Sequence, residues 1–158
     1  MELDLASFDS VKKFASELNK TESHSDLLVN NAGIMVVPRF QLSEDGNEMQ
    51  YQVNYLSTFL LTRLLIKKLK ASKQSRIITL SSLAHYNAGE CDFSSVNVKA
   101  TYNPQKSYCF SKAALVMMSY SLQQKLIDSN IEGMLRSQLF LIVSSLCCKS
   151  RNSPDRAI

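Results

Sequence analysis

The sequence predicts an α/β protein with an incomplete, doubly wound parallel sheet, because two kinds of segment alternate along the chain. Two runs of apolar and β-branched residues, LLVN at Leu27–Asn30 and SRIITLSS at Ser75–Ser82, are typical of buried strands. Three longer segments, at Phe8–Lys20, Gly46–Leu69 and Pro104–Ile127, carry apolar residues at helical spacing. Strands and helices that alternate at these lengths form βαβ units, and βαβ units make parallel sheets.

Local signals set the boundaries of these elements. In the first helix the apolar residues recur at positions 8, 11, 14, 15 and 18, and Ser7 stands where an N-cap is expected. The first strand leads into a loop that runs through Pro38 before the second helix begins. The second strand is predicted at Arg76–Ser81, and a long polar loop separates it from the last helix. We find no internal repeat and no interdomain linker.

Composition is that of one ordinary globular domain. The 158 residues are 45% hydrophobic, and the net charge of +4 comes from scattered lysines and arginines. Because no stripe of basic and aromatic residues is present, we expect no nucleic-acid partner. The four cysteines form no CxxC pair and no paired histidines accompany them, so we expect reduced thiols and no bound metal. The apolar runs fall short of the ~20 residues that span a bilayer, so no transmembrane segment is predicted in this chain.

A tyrosine and a lysine in YCFSK indicate proton transfer. Tyr108 and Lys112 are four residues apart, and on a helix this spacing places both on one face, one turn apart. A tyrosine titrates near ~10 in water, so it needs a nearby cation to act near neutral pH. With its pKa lowered by Lys112, Tyr108 would give a proton to a carbonyl oxygen or take one from an alcohol. Alone the pair is a weak signal, since the same spacing is common on solvated helix faces.

Three other segments supply polar groups that suit the same chemistry. Ser82 ends the second strand, where a hydroxyl either binds a substrate oxygen or caps the next turn. The first strand runs into NNAG at Asn30–Gly33, whose small residues let a ligand approach the backbone closely. Asn54 lies inside the second helix, where an asparagine is either a catalyst or a polar core bond.

In this order, NNAG, the helical Asn54, the strand-end Ser82 and the YxxxK pair resemble the motifs of the short-chain dehydrogenase/reductase family. The segments NNAGIMVVP, VNYLSTFLLT and SSLAHY are similar to its retinol-dehydrogenase-like branch. The resemblance covers roughly Leu3 to Ile131. It implies a Rossmann-like fold and an NAD(P)-dependent oxidoreductase that interconverts an alcohol and an aldehyde or ketone. The branch further implies a small apolar substrate of the retinoid, sterol or polyprenoid kind.

The resemblance also implies a role for each matching residue. Tyr108 would be the catalytic acid/base, and Lys112 would both lower its pKa and bind the nicotinamide ribose. Ser82 would hold and polarise the substrate oxygen; Ser81 competes for this role, but the family's serine matches the second of the pair. Asn54 would bind the water that connects Lys112 to solvent. The positions that match cofactor-binding residues are Asp4 for the adenine, Asn31, Ala32 and Gly33 for the adenosine side, and Tyr108 and Lys112.

Both ends depart from the family pattern. The family begins with a strand, a glycine-rich turn and a helix that binds the pyrophosphate, whereas the four glycines of this chain are too scattered to form that turn. We therefore expect a chain truncated at both ends, with a partial family domain at residues 1–134 and a divergent C-terminal tail at residues 135–158. Within the tail, Leu139–Val143 is apolar enough to pair as a strand. The cofactor, NADP or NAD, is expected to bind weakly or not at all.

A non-enzymatic alternative stays open for this reason. Without a pyrophosphate site the cofactor loses charge-assisted hydrogen bonds worth roughly 1.5 to 3 kcal/mol each, and a loss of ~4 kcal/mol lowers affinity about a thousandfold. The chain would then be an inactive interaction protein that dimerises with full-length subunits. The helices at Gly46–Leu69 and Pro104–Ile127 match those through which family members dimerise, so they would carry a homo-oligomer. The expected location is the cytoplasm, in contact with the endoplasmic reticulum or lipid droplets.

Overall fold

The structure is a computed structural model that describes residues 1–90, 92–128 and 135–142. The chain begins with helix α1 (Phe8–Thr21) and strand β1 (Leu27–Asn30). A continuous helical segment follows, made of α2 (Met49–Tyr51), a π-helical turn (Gln52–Leu56) and α3 (Ser57–Lys70). The described chain is completed by strand β2 (Ser75–Ser82), short 3₁₀ turns, helix α4 (Pro104–Asp128) and strand β3 (Leu135–Ile142).

The three described strands form one parallel sheet in the order β1-β2-β3. β1 pairs with β2 along its whole length, with Asn30 opposite Thr79. β2 pairs with β3 up to Ser82, which lies opposite Ile142. This arrangement confirms the predicted parallel α/β fold. Because the strands run in the same direction, β1 and β2 finish at the same end of the sheet.

One apolar cluster holds the helices against the sheet. Each buried aliphatic side chain of this kind contributes roughly 1.5 to 3 kcal/mol by leaving water, so the cluster is a main source of stability. Its buried members come from α1, α3, β2 and the end of α4, namely Val11, Ala15, Leu61, Leu65, Leu69, Ile77 and Leu126. A second cluster surrounds the first turns of α4 and includes Ala84, Tyr108 and Phe110.

The second helix begins later than the sequence predicts. Gly46 has φ +76°, a left-handed conformation that serves a turn and does not start a helix. In that turn the Gly46 N–H donates to the carbonyl oxygen of Ser43. The carboxylate of Glu48 then accepts the N–H groups of Gln50 and Tyr51, as an N-cap does. The helix therefore starts at Met49, and the predicted start at Gly46 is wrong.

The two outer strands of the described sheet are β3 and β1. β3 occupies the first part of the segment predicted to be a divergent tail, and its backbone continues the sheet beside β2. Val143 and the remainder of that segment lie outside the described residues, and the boundary at residue 134 stays a prediction. β1 pairs on one side within the described sheet, and its Leu27 and Val29 are 52% and 48% exposed.

Candidate active site

The candidate residues gather where β1 and β2 end. β1 is followed by residues 31–33, all of them exposed, and β2 ends at the buried Ser82. α4 carries Tyr108 and Lys112 in its first turns and contacts the end of β2. In open parallel sheets, ligands bind outside the carboxyl ends of the strands. The fold thus brings residues that are far apart in the sequence to the place where a ligand is expected.

The predicted tyrosine and lysine lie on one face of α4, as their spacing requires. Lys112 Nζ is 5.7 Å from the centroid of the Tyr108 ring. The same ammonium donates a hydrogen bond of 3.1 Å to the backbone oxygen of Leu80 in β2. Tyr108 is 9% exposed and Lys112 is 6% exposed. The cation is therefore held beside the phenol ring by a strand that is itself fixed in the sheet.

Burial changes the titration of Lys112. Desolvation lowers the pKa of its ammonium below the ordinary 10.5, because a charged group is less stable away from water. In the unfolded chain the same group keeps its ordinary pKa. Between the lowered value and 10.5 the unfolded state therefore binds more protons, so folding stability rises with pH across this window. Below this window Lys112 is charged in both the folded and the unfolded state. The full cost of burying its charge then lowers the free energy of unfolding.

We expect the Lys112→Met variant to lose this pH dependence. The measurement is the free energy of unfolding in urea, compared with wild type from neutral pH to about pH 10, where an ordinary lysine begins to titrate. As the pH rises, the free energy of unfolding of the wild type should increase relative to that of Lys112→Met. The exposed Lys125 of α4 provides a matched Lys→Met control. A constant difference between wild type and Lys112→Met at every pH would contradict the burial argument.

The two serines at the end of β2 make different contacts. The Ser81 hydroxyl donates to the backbone oxygen of Lys112 at 2.8 Å, so it joins β2 to α4. Ser82 Oγ accepts the Ala84 N–H at 3.2 Å and caps a short 3₁₀ turn. A hydroxyl that accepts in this way keeps its proton to donate. This geometry favours Ser82 over Ser81 as the group that meets a substrate oxygen, while the role itself stays a prediction.

Asn54 lies in the π-helical turn and connects two parts of the site. It is 1% exposed. Its Oδ1 accepts the Ile34 N–H at 2.8 Å, and its Nδ2 donates to the Ile34 carbonyl and to Ser111 Oγ, both at 2.9 Å. These contacts use three of the four hydrogen-bonding positions of the amide. The predicted water contact would use the remaining acceptor position, and it stays a prediction.

Gly33 packs directly against the candidate side chains. A Cβ atom at this position would lie 2.9 Å from Asn54 Oδ1 and 3.6 Å from Lys112 Nζ. The first distance is too short for a carbon, so a side chain here would push the segment after β1 away from Asn54. The small residue lets the backbone approach the candidate catalytic groups, in addition to the predicted approach of a ligand.

Asp4 is placed apart from these contacts. It is exposed, its Oδ1 accepts the Ala6 N–H at 2.8 Å, and its own N–H donates to Ser10 Oγ at 2.9 Å. These bonds shape the turn before α1. Among the described contacts none joins Asp4 to the other candidate residues, so its adenine-binding role stays a prediction.

The sequence did not predict a network of hydrogen bonds around the loop that follows NNAG. Val36 has φ +55°, a conformation that is costly for a β-branched residue. Its N–H donates to the fully buried Gln50 Oε1 at 2.6 Å. Gln50 Nε2 donates to the Pro104 carbonyl at the start of α4, and the Tyr102 hydroxyl donates to the Val37 carbonyl. The only signal in the sequence is that positions 48, 50, 52 and 54 are all polar within a helical segment.

Three further findings on the described residues concern metal binding, membrane spans and cysteines. In that part of the chain no group of three or more His, Cys, Asp or Glu side chains is placed to hold a metal ion. No helix among the same residues is long and apolar enough to cross a bilayer. Cys109 is buried in α4, whereas Cys91, Cys147 and Cys148 lie outside the described residues.

Comparison with known proteins identifies a matching family and similar curated proteins. The family model for short chain dehydrogenases matches residues 1–135. Human retinol dehydrogenase 13 is 48% identical over 130 residues, which are 82% of this chain and 39% of that protein. Polyprenol dehydrogenase from Danio rerio is 41% identical over 131 residues, covering 80% of this chain and 40% of that protein. The chain thus spans about two fifths of the length of these curated relatives.

Solved structures share the fold. A crystal structure of an uncharacterised protein from Mycobacterium paratuberculosis superposes with a TM-score of 0.71 at 35% identity, covering 90% of this chain and 48% of that one. A metagenomic short-chain oxidoreductase in complex with NADP has a TM-score of 0.65 at 24% identity, covering 91% of this chain and 58% of that one. The solved structures share the fold, and the family model that matches residues 1–135 shows that the chain belongs to the short-chain dehydrogenase family of oxidoreductases.

Proposed function

We propose that this chain carries the catalytic centre of an NAD(P)-dependent oxidoreductase that interconverts an alcohol and an aldehyde or ketone. The observation that supports the proposal is that Lys112 of α4 contacts the last residues of β2, where Ser82 ends the strand, and carries Tyr108 beside it. There the lysine ammonium is fixed 5.7 Å from the phenol ring. This arrangement supplies a hydroxyl donor, a proton-transfer group and a cation in one place.

Ser82, Tyr108 and Lys112 together account for the transfer of a proton to and from the substrate oxygen. In the reducing direction, the Ser82 hydroxyl donates a hydrogen bond to the substrate carbonyl oxygen and increases the polarity of its C=O bond. Tyr108 gives its proton to the same oxygen as the alcohol forms, and Lys112 favours the resulting phenolate through its positive charge. In the oxidising direction, Tyr108 takes the proton from the alcohol. A bound nicotinamide supplies or accepts the hydride.

The residues present fit the nicotinamide side of such a cofactor. Residues 31–33 are exposed beside the buried Lys112, whose ammonium would bind the nicotinamide ribose. Gly33 keeps the backbone close to that ammonium, since a Cβ there would lie 3.6 Å from Lys112 Nζ. Asn31 and Ala32 would line the adenosine side and Asp4 would contact the adenine. The choice between NADP and NAD is open in this proposal.

An apolar substrate is proposed because of the surface beside Ser82. Leu83 and Tyr86 follow it in the 3₁₀ turn and are 40% and 73% exposed. Exposed apolar side chains next to a catalytic hydroxyl suit a ligand with a long hydrocarbon part. Retinol and polyprenol dehydrogenases are among the relatives, which supports an apolar substrate of the retinoid or polyprenoid kind.

The proposal is tested by titrating the purified chain with NADPH and with NADH and following the cofactor fluorescence. Binding that saturates by millimolar cofactor, and that weakens in Lys112→Met, is the expected result. A lysine contact to the ribose is a charge-assisted hydrogen bond, so its loss should lower affinity by about tenfold or more. No binding at millimolar cofactor would contradict an oxidoreductase role for this chain.

A cleft between α3 and α4 favours a second candidate function, an inactive protein that dimerises with full-length subunits. Its volume is about 570 Å³, and its walls include Tyr55, Phe59 and Met117. Phe59 and Met117 are 38% and 43% exposed, and such a surface suits a two-fold helical interface. Sedimentation of wild type and Met117→Asp distinguishes the two candidates. A dimer that the aspartate abolishes, in a chain that binds no cofactor, would favour the interaction role.

A further inference from the structure

Glu48 is a buried carboxylate that the reaction described above does not use. It is 0% exposed. Its Oε1 accepts the Gln50 N–H at 3.1 Å, and its Oε2 accepts the Tyr51 N–H at 2.9 Å and the Ser107 hydroxyl at 2.5 Å. Its own N–H donates to Asn97 Oδ1 at 2.8 Å. Charges are rarely buried to this extent unless they are paired or fully hydrogen-bonded.

The surroundings explain how the carboxylate is tolerated without a close cation. Within the described residues no lysine, arginine or histidine forms an ion pair with Glu48. Instead it caps the start of α2 and reaches Ser107 in the first turn of α4. Helix N-termini carry a partial positive charge, and the N–H groups at the start of α2 face this carboxylate. The same group is therefore a structural bridge between the two helical segments.

A second bridge runs parallel to the first, one helical turn further along α4. Asn54 Nδ2 donates to Ser111 Oγ at 2.9 Å. Ser107 and Ser111 are four residues apart, and each stands directly before one member of the Tyr108–Lys112 pair. The serines occupy one stripe of α4 and the candidate catalytic pair occupies the adjacent stripe. The two bridges thus hold the turn that carries the catalytic pair against the segment from Glu48 to Asn54, in addition to the contacts of Lys112 with β2.

We propose that Glu48 is a positioning residue that acts through Ser107 to hold the Tyr108 hydroxyl in register with Ser82. The inference rests on the proposed function, since it assumes that Tyr108 transfers the proton. A proton donor displaced by about 1 Å can lose a hundredfold in rate even when the fold survives. Loss of the bridge should therefore lower kcat and leave the KM for the carbonyl substrate nearly unchanged.

The test breaks the bridge from each side. Ser107→Ala removes the hydroxyl and leaves Glu48 to cap α2. Glu48→Asp keeps an acid that is a good N-cap but is too short to reach Ser107. The matched control is Ser119→Ala, because Ser119 is also buried in α4 but donates only to Leu115 of its own helix. Millimolar NADPH and retinal, an apolar aldehyde, serve as cofactor and substrate.

We expect kcat to fall about tenfold or more in both bridge variants, with KM within about twofold of wild type. Ser119→Ala should match wild type in both constants, and the double variant Ser107→Ala/Glu48→Asp should lose no more than either single variant. A kcat for Ser107→Ala equal to that of Ser119→Ala would overturn the proposal. A KM effect without a kcat effect would overturn it as well.

A second readout does not depend on turnover. Chains with ¹³Cζ-labelled tyrosine give a resonance for Tyr108, assigned by its absence in Tyr108→Phe. The Tyr108 resonance should shift or broaden in Ser107→Ala and in Glu48→Asp, and stay unchanged in Ser119→Ala. An unchanged Tyr108 resonance in both bridge variants overturns the positioning role. If the wild-type chain shows no turnover, that result counts against the proposed function only. The Tyr108 resonance still tests the positioning role of Glu48 in that case.

Discussion

Reduction of retinal at millimolar NADPH is expected to fall by a factor of about 1,000 in the Tyr108→Phe variant. Phenylalanine keeps the ring and removes the only atom that would carry the transferred proton. General acid catalysis by a positioned side chain contributes roughly 10²- to 10⁴-fold, so the loss should fall in that range. The measurement is the rate at which NADPH fluorescence disappears under saturating conditions.

The fold should survive this substitution. Tyr108 is buried in the apolar cluster around α4, and its ring would keep those contacts as phenylalanine. Tyr120 lies on the same helix and is 73% exposed, so Tyr120→Phe makes the identical chemical change away from the site. Equal rates for Tyr108→Phe and Tyr120→Phe would exclude Tyr108 as the proton-transfer group. A loss of NADPH binding as large as the loss of rate would point to a cofactor contact instead.

The parts of this site that the sequence predicts are those set by local geometry. Tyr108 and Lys112 meet because four residues make about one helical turn, and no tertiary knowledge is needed for that. Ser82 follows from a run of β-branched residues that ends in hydroxyls. Parallel strands bring such strand ends together, whereas the roles of the residues there are implied by the family resemblance.

The parts that escaped prediction depend on partners far along the chain. Glu48 and Gln50 read as ordinary polar residues near a helix start, yet both are 0% exposed. Their burial is possible because Ser107 and Pro104 supply the matching donor and acceptor from α4. No periodicity in the segment around position 50 reveals a partner more than fifty residues away. The later start of the helix has a local origin, because the Glu48 side chain caps the N–H groups of Gln50 and Tyr51.

The sequence predicted only part of β3. Apolar content suggested a strand at Leu139–Val143, whereas the structure starts it at Leu135 and includes Arg136, Ser137 and Gln138. Those polar residues give little strand signal by themselves. Their pairing is a tertiary effect, since β3 lies beside β2 along the whole length of β2, from Ser75 opposite Leu135 to Ser82 opposite Ile142.

Asn54→Leu is expected to lower the free energy of unfolding by about 3 kcal/mol or more. The substitution keeps the side-chain size but leaves the Ile34 N–H and the Ile34 carbonyl without their partner. It also removes the donor to Ser111 Oγ, which keeps its own hydrogen bond to the Tyr108 carbonyl. Each buried polar group left unsatisfied costs roughly 1 to 3 kcal/mol. Urea unfolding followed by circular dichroism measures the change.

Two further observations separate this loss from a general effect of removing an asparagine. Asn19→Leu breaks one hydrogen bond, from a partly buried side chain to the Leu64 carbonyl, and should cost no more than about 1 kcal/mol. Hydrogen exchange at the Ile34 amide should accelerate in Asn54→Leu and stay slow in Asn19→Leu, because only the first variant releases the segment after β1. If both variants unfolded at the same urea concentration, Asn54 would not join that segment to α4. Because Gly33 packs on the same amide oxygen, freeing Ile34 would also release the backbone from the Lys112 ammonium, so stability and cofactor affinity should fall together.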